Sequence, residues 1–553
     1  MILQSYKIRK ATQTYADILV AIGMADLFAT WAEEGGMVTR EVIIKDENDA
    51  YELSLNPAID LEKARNIKLL PGYPYIKYKK NDSAPFGIEV IDYELEREKE
   101  AIYRNFDKIV KNTSKSKMRQ NIPKEERPDP PRNDLQLLKD FNNLRMGSNS
   151  YNSLLLTLLE REDVAEIVAN RIEKIINPDQ EKGLSAANLQ LFSPISGKGV
   201  HRSKPDGVNL GGLSYQVVDW FDEWMKYRAM HIAMNSYRVG DDTKILVMAP
   251  GEINISALKL VREELLKQSL WGSLRLEINA VLGIAEILIV NSEILTGGGS
   301  RIKIRRRRPQ EIIKGISTAY FKSLGTGKAL MNVSFLGLPG WFPVNTRDDA
   351  EAWLDIISEH RQCISTLNEE HSSDISLLQE YRNFVSSGSL NDFLMFTTDY
   401  ATHIMQRLTK NEWVAQFSVI NLRRLFMAYN LKAIIENEGF QNIARAIRRA
   451  TVNAQYRKAS GTQVFEIHYG LAQEWKRKVK FEDQFVIALS DFVQKYNAEN
   501  ARHAEQKKER RESISDKDLD EVLELINKNG SELVGMLLLA YGYAKEEKVK
   551  EEN

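Results

Sequence analysis

Between about Asp349 and Ala544 glycine and proline almost vanish, and this depletion limits what the chain can fold into more than any other feature. Glycine opens backbone conformations closed to other residues, while proline fixes φ and removes a donor, so the two punctuate local structure. Strand-like alternation also stops here, and apolar residues recur at helical spacing. The stretch is therefore expected to be all helix, relieved by loops at SSGSLND (386–392) and KASGTQ (458–463). The earlier part mixes patterns, and the fold class expected is an α+β N-terminal region followed by an all-α helical bundle. The corresponding domains are residues 1–370 and 371–553.

In the α+β part, Tyr15, Ile18, Leu19, Ile22, Leu27 and Trp31 predict a helix ending at Gly35-Gly36. Val38 to Lys45 and Tyr51 to Leu55 alternate about Asp46–Asp49 and predict a hairpin. Tyr73 to Lys79 alternates aromatic and basic residues, and the proline-rich segment Lys111 to Asn133 reads as a loop. An irregular segment, Leu191 to Gly212, leads into an aromatic helix at Val217–Met234, a buried strand at Lys244–Met248 and a helix at Asn254–Leu270.

The 553 residues carry 76 basic and 77 acidic side chains, a formal net charge of −1. A surface given over wholly to nucleic acid would be more basic, so any such binding must use local patches. The lone cysteine, Cys363, can build neither a disulfide framework nor a thiolate metal site. The N-terminus lacks signal-peptide layout, and the apolar run Ile278–Val290 is short and broken by Glu286. A cytoplasmic protein with no membrane partner is expected.

Motifs for catalysis are missing. Gly197-Lys198 and Gly327-Lys328 lack the upstream glycine and following Ser or Thr of a phosphate loop. No two of the seven histidines sit at the i, i+4 spacing of a helical zinc site, and no GxSxG elbow occurs. Glu359-His360 and Glu370-His371 read as solvated helix faces. No enzyme activity, cofactor or metal is expected, although carboxylates distant in sequence could still converge in a metal-dependent nuclease.

The positive signals are electrostatic. RIKIRRRRPQ places Arg301, Lys303, Arg305, Arg306, Arg307 and Arg308 in one acid-free run, alternating at its front like a strand and following Gly297–Gly299. Such a density of guanidinium groups favours a compensating anion in the form of nucleic-acid phosphate, the alternatives being an acidic protein partner or a solvated charge run. Lys198, His201, Arg202 and Lys204 lie among glycines that let backbone amides approach a phosphate. NNLRMGSNSYN (142–152) offers Arg145, Asn149 and Asn152 for base edges or phosphates, though the same residues suit tight turns. Tyr73, Tyr75 and Tyr78, with Lys77, Lys79 and Lys80, are candidate stacking rings beside cations, and an amphipathic strand with an exposed basic face fits them equally well. Arg445, Arg448 and Arg449 share a helix face near Arg423-Arg424 and Arg457-Lys458, a ridge able to follow a strand or simply face water.

Ser193-Pro194, Ser196-Gly197-Lys198-Gly199, His201-Arg202, Lys204 and Asp206-Gly207, then the helix VVDWFDEWMKYRAM and strand KILVMAP, resemble a known family. It is the large subunit of type I CRISPR interference complexes (Cascade), in the type I-B and I-A-like branch, and the opening TYADILVAIGMADLF is similar to that family's start. The resemblance implies a non-catalytic, RNA- and DNA-binding subunit of an antiviral-defence ribonucleoprotein. Such a subunit sits at the guide RNA's 5′ handle, reads the protospacer-adjacent motif of double-stranded DNA, stabilises the R-loop with its displaced strand, and recruits a helicase–nuclease. Repeated backbone subunits would be its other partners, and the C-terminal helices would resemble the separate small subunit. His201 and Asp206 stand where the family pattern leads one to expect asparagines.

Overall fold

The computed structural model describes residues 1–35, 41–112, 127–143, 147–187, 189, 191–192, 219–325, 328–506 and 510–546. The chain forms two compact units, each assembled from separated pieces. The first comprises Met1–Trp271, Gly299–Lys303 and Gln310–Leu336; the second comprises Gly272–Gly298, Ile304–Pro309 and Gly337–Asn553. A mixed sheet-and-helix N-terminal region is thus followed by a mostly helical one, as the punctuation predicts. The units are not separated by a single cut near residue 370, because helix Leu274–Val290 belongs to the second.

Ten strands are seen among the described residues: β1 (Ile2–Arg9), β2 (Glu41–Asp46), β3 (Ala50–Asp60), β4 (Tyr75–Lys77), β5 (Val90–Asp92), β6 (Met234–Val239), β7 (Asp242–Pro250), β8 (Glu252–Asn254), β9 (Ile313–Ser323) and β10 (Lys328–Gly337). They form sheets in the orders β1-β3-β2-β8 and β10-β9-β7-β6, with β4 and β5 as a parallel pair. The expected hairpin is β2–β3, in register Val42↔Leu55 and Ile44↔Leu53, with all four side chains buried. Strand β7, paired on both sides, buries Ile245, Leu246, Val247 and Met248, the continuous apolar run of a strand covered on both faces.

At the centre of the first unit lies helix Tyr15–Glu34, capped by the Thr14 hydroxyl. By length and composition it could span a bilayer, yet 83% of its apolar window is buried inside the fold. It packs on helix Trp220–Ala233 at Gly23, where a Cβ would lie 2.0 Å from the Met225 carbonyl oxygen. Beside that contact, Asp26 is buried and accepts from Arg228 Nε at 2.9 Å, with Lys259 Nζ at 2.6 Å. The Arg228 guanidinium also donates to the Pro71 carbonyl (2.7 Å) and the Thr30 hydroxyl (2.6 Å), so the buried charges are closely satisfied.

The tyrosines, readable either as stacking rings or as the inner face of an amphipathic strand, serve packing. Tyr73 and Tyr75 are buried, and the Tyr73 ring lies 4.4 Å from Tyr151 and 5.8 Å from Tyr227. Tyr78 tilts against Tyr93 at 5.2 Å, and Lys77 pairs with Asp92. Aromatic–basic alternation placed the rings inward because a buried aromatic cluster stabilises more than exposed rings do.

In the second unit, helix Leu274–Val290 buries 13 of its 17 residues, too many for one face, so helices must surround it. Helices Arg347–Ser365 and Ser372–Ser387 do so, and the two acids on its length are answered there: Glu277 by Arg382 (2.7 Å) and Glu286 by Arg361 (2.6 Å). Helix Arg347–Ser365 starts at a capping box of Thr346 and Asp349. Helices Ser372–Ser387 and Leu390–Thr409 are joined where Gly388 takes φ +65°, and the second expected loop turns at Gly461, φ +73°. Their core is aromatic, with Trp341 stacked on Trp353 at 4.5 Å and Phe384 tilted against Phe393 at 4.5 Å. His360, expected on a wet face, lies in this core at 1% exposure; burial pushes its pKa down to about 3, and its Nδ1 meets the Tyr381 hydroxyl at 2.7 Å.

Candidate nucleic-acid interface

The basic run folds with its apolar and cationic residues on opposite sides. Ile302 and Ile304 are buried, while Arg301, Lys303, Arg305, Arg306 and Arg308 are exposed and Arg307 is half-buried. Alternation is therefore realised, but not as the strand it suggested. The chain turns at Arg306, whose φ is +65°, and an isolated bridge pairs Arg307 with Val344. The Glu293 carboxylate, which could have neutralised a guanidinium, instead accepts the backbone N–H groups of Ile304 (2.9 Å) and Arg305 (2.9 Å). The Arg306 N–H donates to the Val344 carbonyl at 2.8 Å, which holds the turn. Among the described residues the side chains of Arg301, Arg305 and Arg306 have no ion pair or hydrogen bond. Arg301 and Lys303 belong to the first unit, and Arg305 to Arg308 to the second.

The helical arginines behave differently. Helix Glu438–Ala450, capped by the Asn437 side chain, turns about 100° per residue, so Arg448 points about 60° to one side of Arg445 and Arg449 about 40° to the other. That divergence separates them. Arg445 and Arg449, with Asn442, Tyr496 and Glu512, line a cavity of about 480 Å³. Arg448 is buried, donates to the Tyr541 carbonyl at 2.6 Å and pairs with Glu546 at 2.6 Å. Burial lowers its guanidinium pKa from the ordinary value, and it is a packing residue rather than part of a ridge. Arg449 meets Glu512 at 3.1 Å, and Arg445 lies 3.7 Å from Glu512 and 3.6 Å from Glu546. The Glu512 side chain is 72% exposed, so its pairs are the weak, solvent-screened kind that an incoming anion can exchange. Nearby, Arg423 is held by Glu436 and Arg424 by Asp355.

Of the remaining candidates, Asn149 is exposed in the first turn of helix Gly147–Glu160. Asn152 is engaged elsewhere: its amide accepts from the Ile76 N–H (3.3 Å) and donates to the Ile76 carbonyl (2.9 Å), fixing strand β4 and leaving little capacity for a base. Arg145, Lys198, His201, Arg202 and Lys204 lie outside the described residues. Tyr496 and Glu512, which complete the cavity around Arg445 and Arg449, carry no local sequence signal; only the i, i+4 arginine spacing pointed there.

Among the described residues no group of three or more His, Cys, Asp and Glu side chains could hold a metal ion. Cys363 is buried, and burial pushes its thiol pKa far up, away from the thiolate a nucleophile needs. No protein-family model matches the chain, and no curated protein matches it at a significant level.

Proposed function

We propose that this protein is a non-catalytic, nucleic-acid-binding subunit, the large subunit of a CRISPR RNA-guided DNA surveillance complex of type I. One observation supports the nucleic-acid reading: along 301–308 the isoleucines go inward and the cations outward, with Arg301, Arg305 and Arg306 unpaired among the described residues although the chain as a whole carries one more acid than base. Exposed, uncompensated guanidinium groups on a backbone held by Glu293 and Val344 are positioned for phosphate oxygens. The sequence resemblance supplies the finer reading. In it, the guide RNA's 5′ handle and the flanking motif of double-stranded DNA are the ligands, sequence being read by guide–target pairing. Repeated backbone subunits and a helicase–nuclease are the protein partners.

The test is the triple variant R305E/R306E/R308E with fluorescently labelled duplex and single strand across a salt series. Each lost phosphate contact lowers the slope of log affinity against log salt by about 0.9 on duplex and about 0.7 on single strand, so three flatten it by about 2 to 3 units. An unchanged slope removes this segment from the interface. Purification of the native protein without a uniform short RNA and a repeated partner subunit would overturn the assignment to a guided complex.

A further inference from the structure

Apart from that interface, helices Ser372–Ser387, Leu390–Thr409, Leu471–Lys478 and Ser531–Gly542 wall a cavity of about 650 Å³ in the second unit. This is the size of a small-molecule site, and the space between bundled helices is a common place for one. Leu377, Met395 and Met536 make part of the lining apolar. The polar part includes two acids and a lysine: Asp399 accepts from Lys476 Nζ at 2.5 and 2.6 Å and lies against Glu380. Arg477 and Lys480 also line the cavity, are exposed, and form no ion pair among the described residues.

The decisive residue is His403, which lines the cavity at 7% exposure. Its Nδ1 lies 3.5 Å from Asp374 Oδ1, and Asp374 is itself held by the Asn368 N–H at 2.9 Å. The other ring nitrogen, Nε2, is buried and has no hydrogen-bond partner among the described residues. Leaving such an atom unmatched costs stability that a fold built only for packing would recover by substitution. We propose that this cavity binds a nucleoside 5′-monophosphate, either free or as the phosphorylated end of a strand. The flat base fits against the methionine thioethers and Leu377, which favour aromatic faces. His403 and Glu380 engage polar groups on its edge, and Arg477 with Lys480 takes the phosphate. The inference does not depend on the CRISPR reading, because it uses no residue of the basic run.

The experiment is calorimetric titration of the full-length protein with AMP, GMP, CMP and UMP, with the matching nucleosides and inorganic phosphate as separate arms. At least one monophosphate should bind, and its nucleoside and phosphate alone should bind at least about tenfold more weakly. The surface variant R477E/K480E should weaken monophosphate binding about tenfold or more and leave nucleoside binding unchanged; H403Q should weaken both. No binding by any monophosphate, or binding indifferent to R477E/K480E, overturns the proposal. Competition by a 5′-phosphorylated tetranucleotide, but not by its 5′-hydroxyl counterpart, identifies a strand end; binding of the free nucleotide alone identifies a small-molecule site. Strand binding by R305E/R306E/R308E reports on the interface separately, so either idea can fail while the other stands.

Discussion

Replacing Glu380 by glutamine isolates one carboxyl pair on the cavity wall. Burial and the neighbouring Asp399 carboxylate raise the pKa of Glu380 from 4.5 to about 7, with Lys476 opposing the shift. In the unfolded chain Glu380 releases its proton near its ordinary value, while in the fold it keeps it until about pH 7. Its contribution to stability is therefore intact below about pH 4.5 and is lost as pH rises toward 7. That difference sets a ceiling of about 3 kcal/mol. Because Glu380 is only half-buried, solvent screening reduces this to about 1 kcal/mol. Glutamine keeps the shape and removes the charge. Glu380→Gln should thus be stabilising by about 1 kcal/mol at pH 8 and close to neutral at pH 4. Urea unfolding of variant and parent at both pH values measures the difference. A difference of the same size at pH 4 and pH 8 would refute the raised pKa of Glu380 beside Asp399.

Other expected outcomes follow from single contacts. Asp26→Ala leaves Arg228 and the Lys259 ammonium without their buried anion and should cost about 3–5 kcal/mol, read as a large drop in melting temperature; a loss below about 1 kcal/mol would show that the pair is not relied upon. Gly23→Ala forces a Cβ into the Met225 backbone and should destabilise by at least about 1–3 kcal/mol, with a neutral result excluding the close helix approach. Glu512→Gln frees Arg445 and Arg449 from an exposed carboxylate; single-strand affinity in low salt should rise a few-fold, and no change would exclude this cavity from strand binding.

Much of the secondary structure was legible along the chain, because its causes are local. A cap at Thr14, turn residues at 46–49 and glycines at 388 and 461 act within a few residues, and the periods of helix and strand repeat over a turn or two. The same locality made the basic run's burial readable, since Ile302 and Ile304 alternate with their cationic neighbours whatever backbone carries them. It did not reveal that the run would turn at Arg306, because the Glu293 and Val344 groups that hold the turn come from other segments.

The amino-acid order by itself determined the type and approximate place of many helices and strands, and which residues of each are greasy or charged. Only the tertiary structure decided what those faces meet. It joined helix Leu274–Val290 to helices beyond Arg347, buried Arg448 while leaving Arg445 and Arg449 at a cavity, turned the candidate stacking tyrosines inward, and left His403 Nε2 unmatched. The reason is physical: a side chain's charge state, partners and exposure are set by atoms a few ångströms away in space, and in a chain of 553 residues most of those atoms belong to segments far away in sequence.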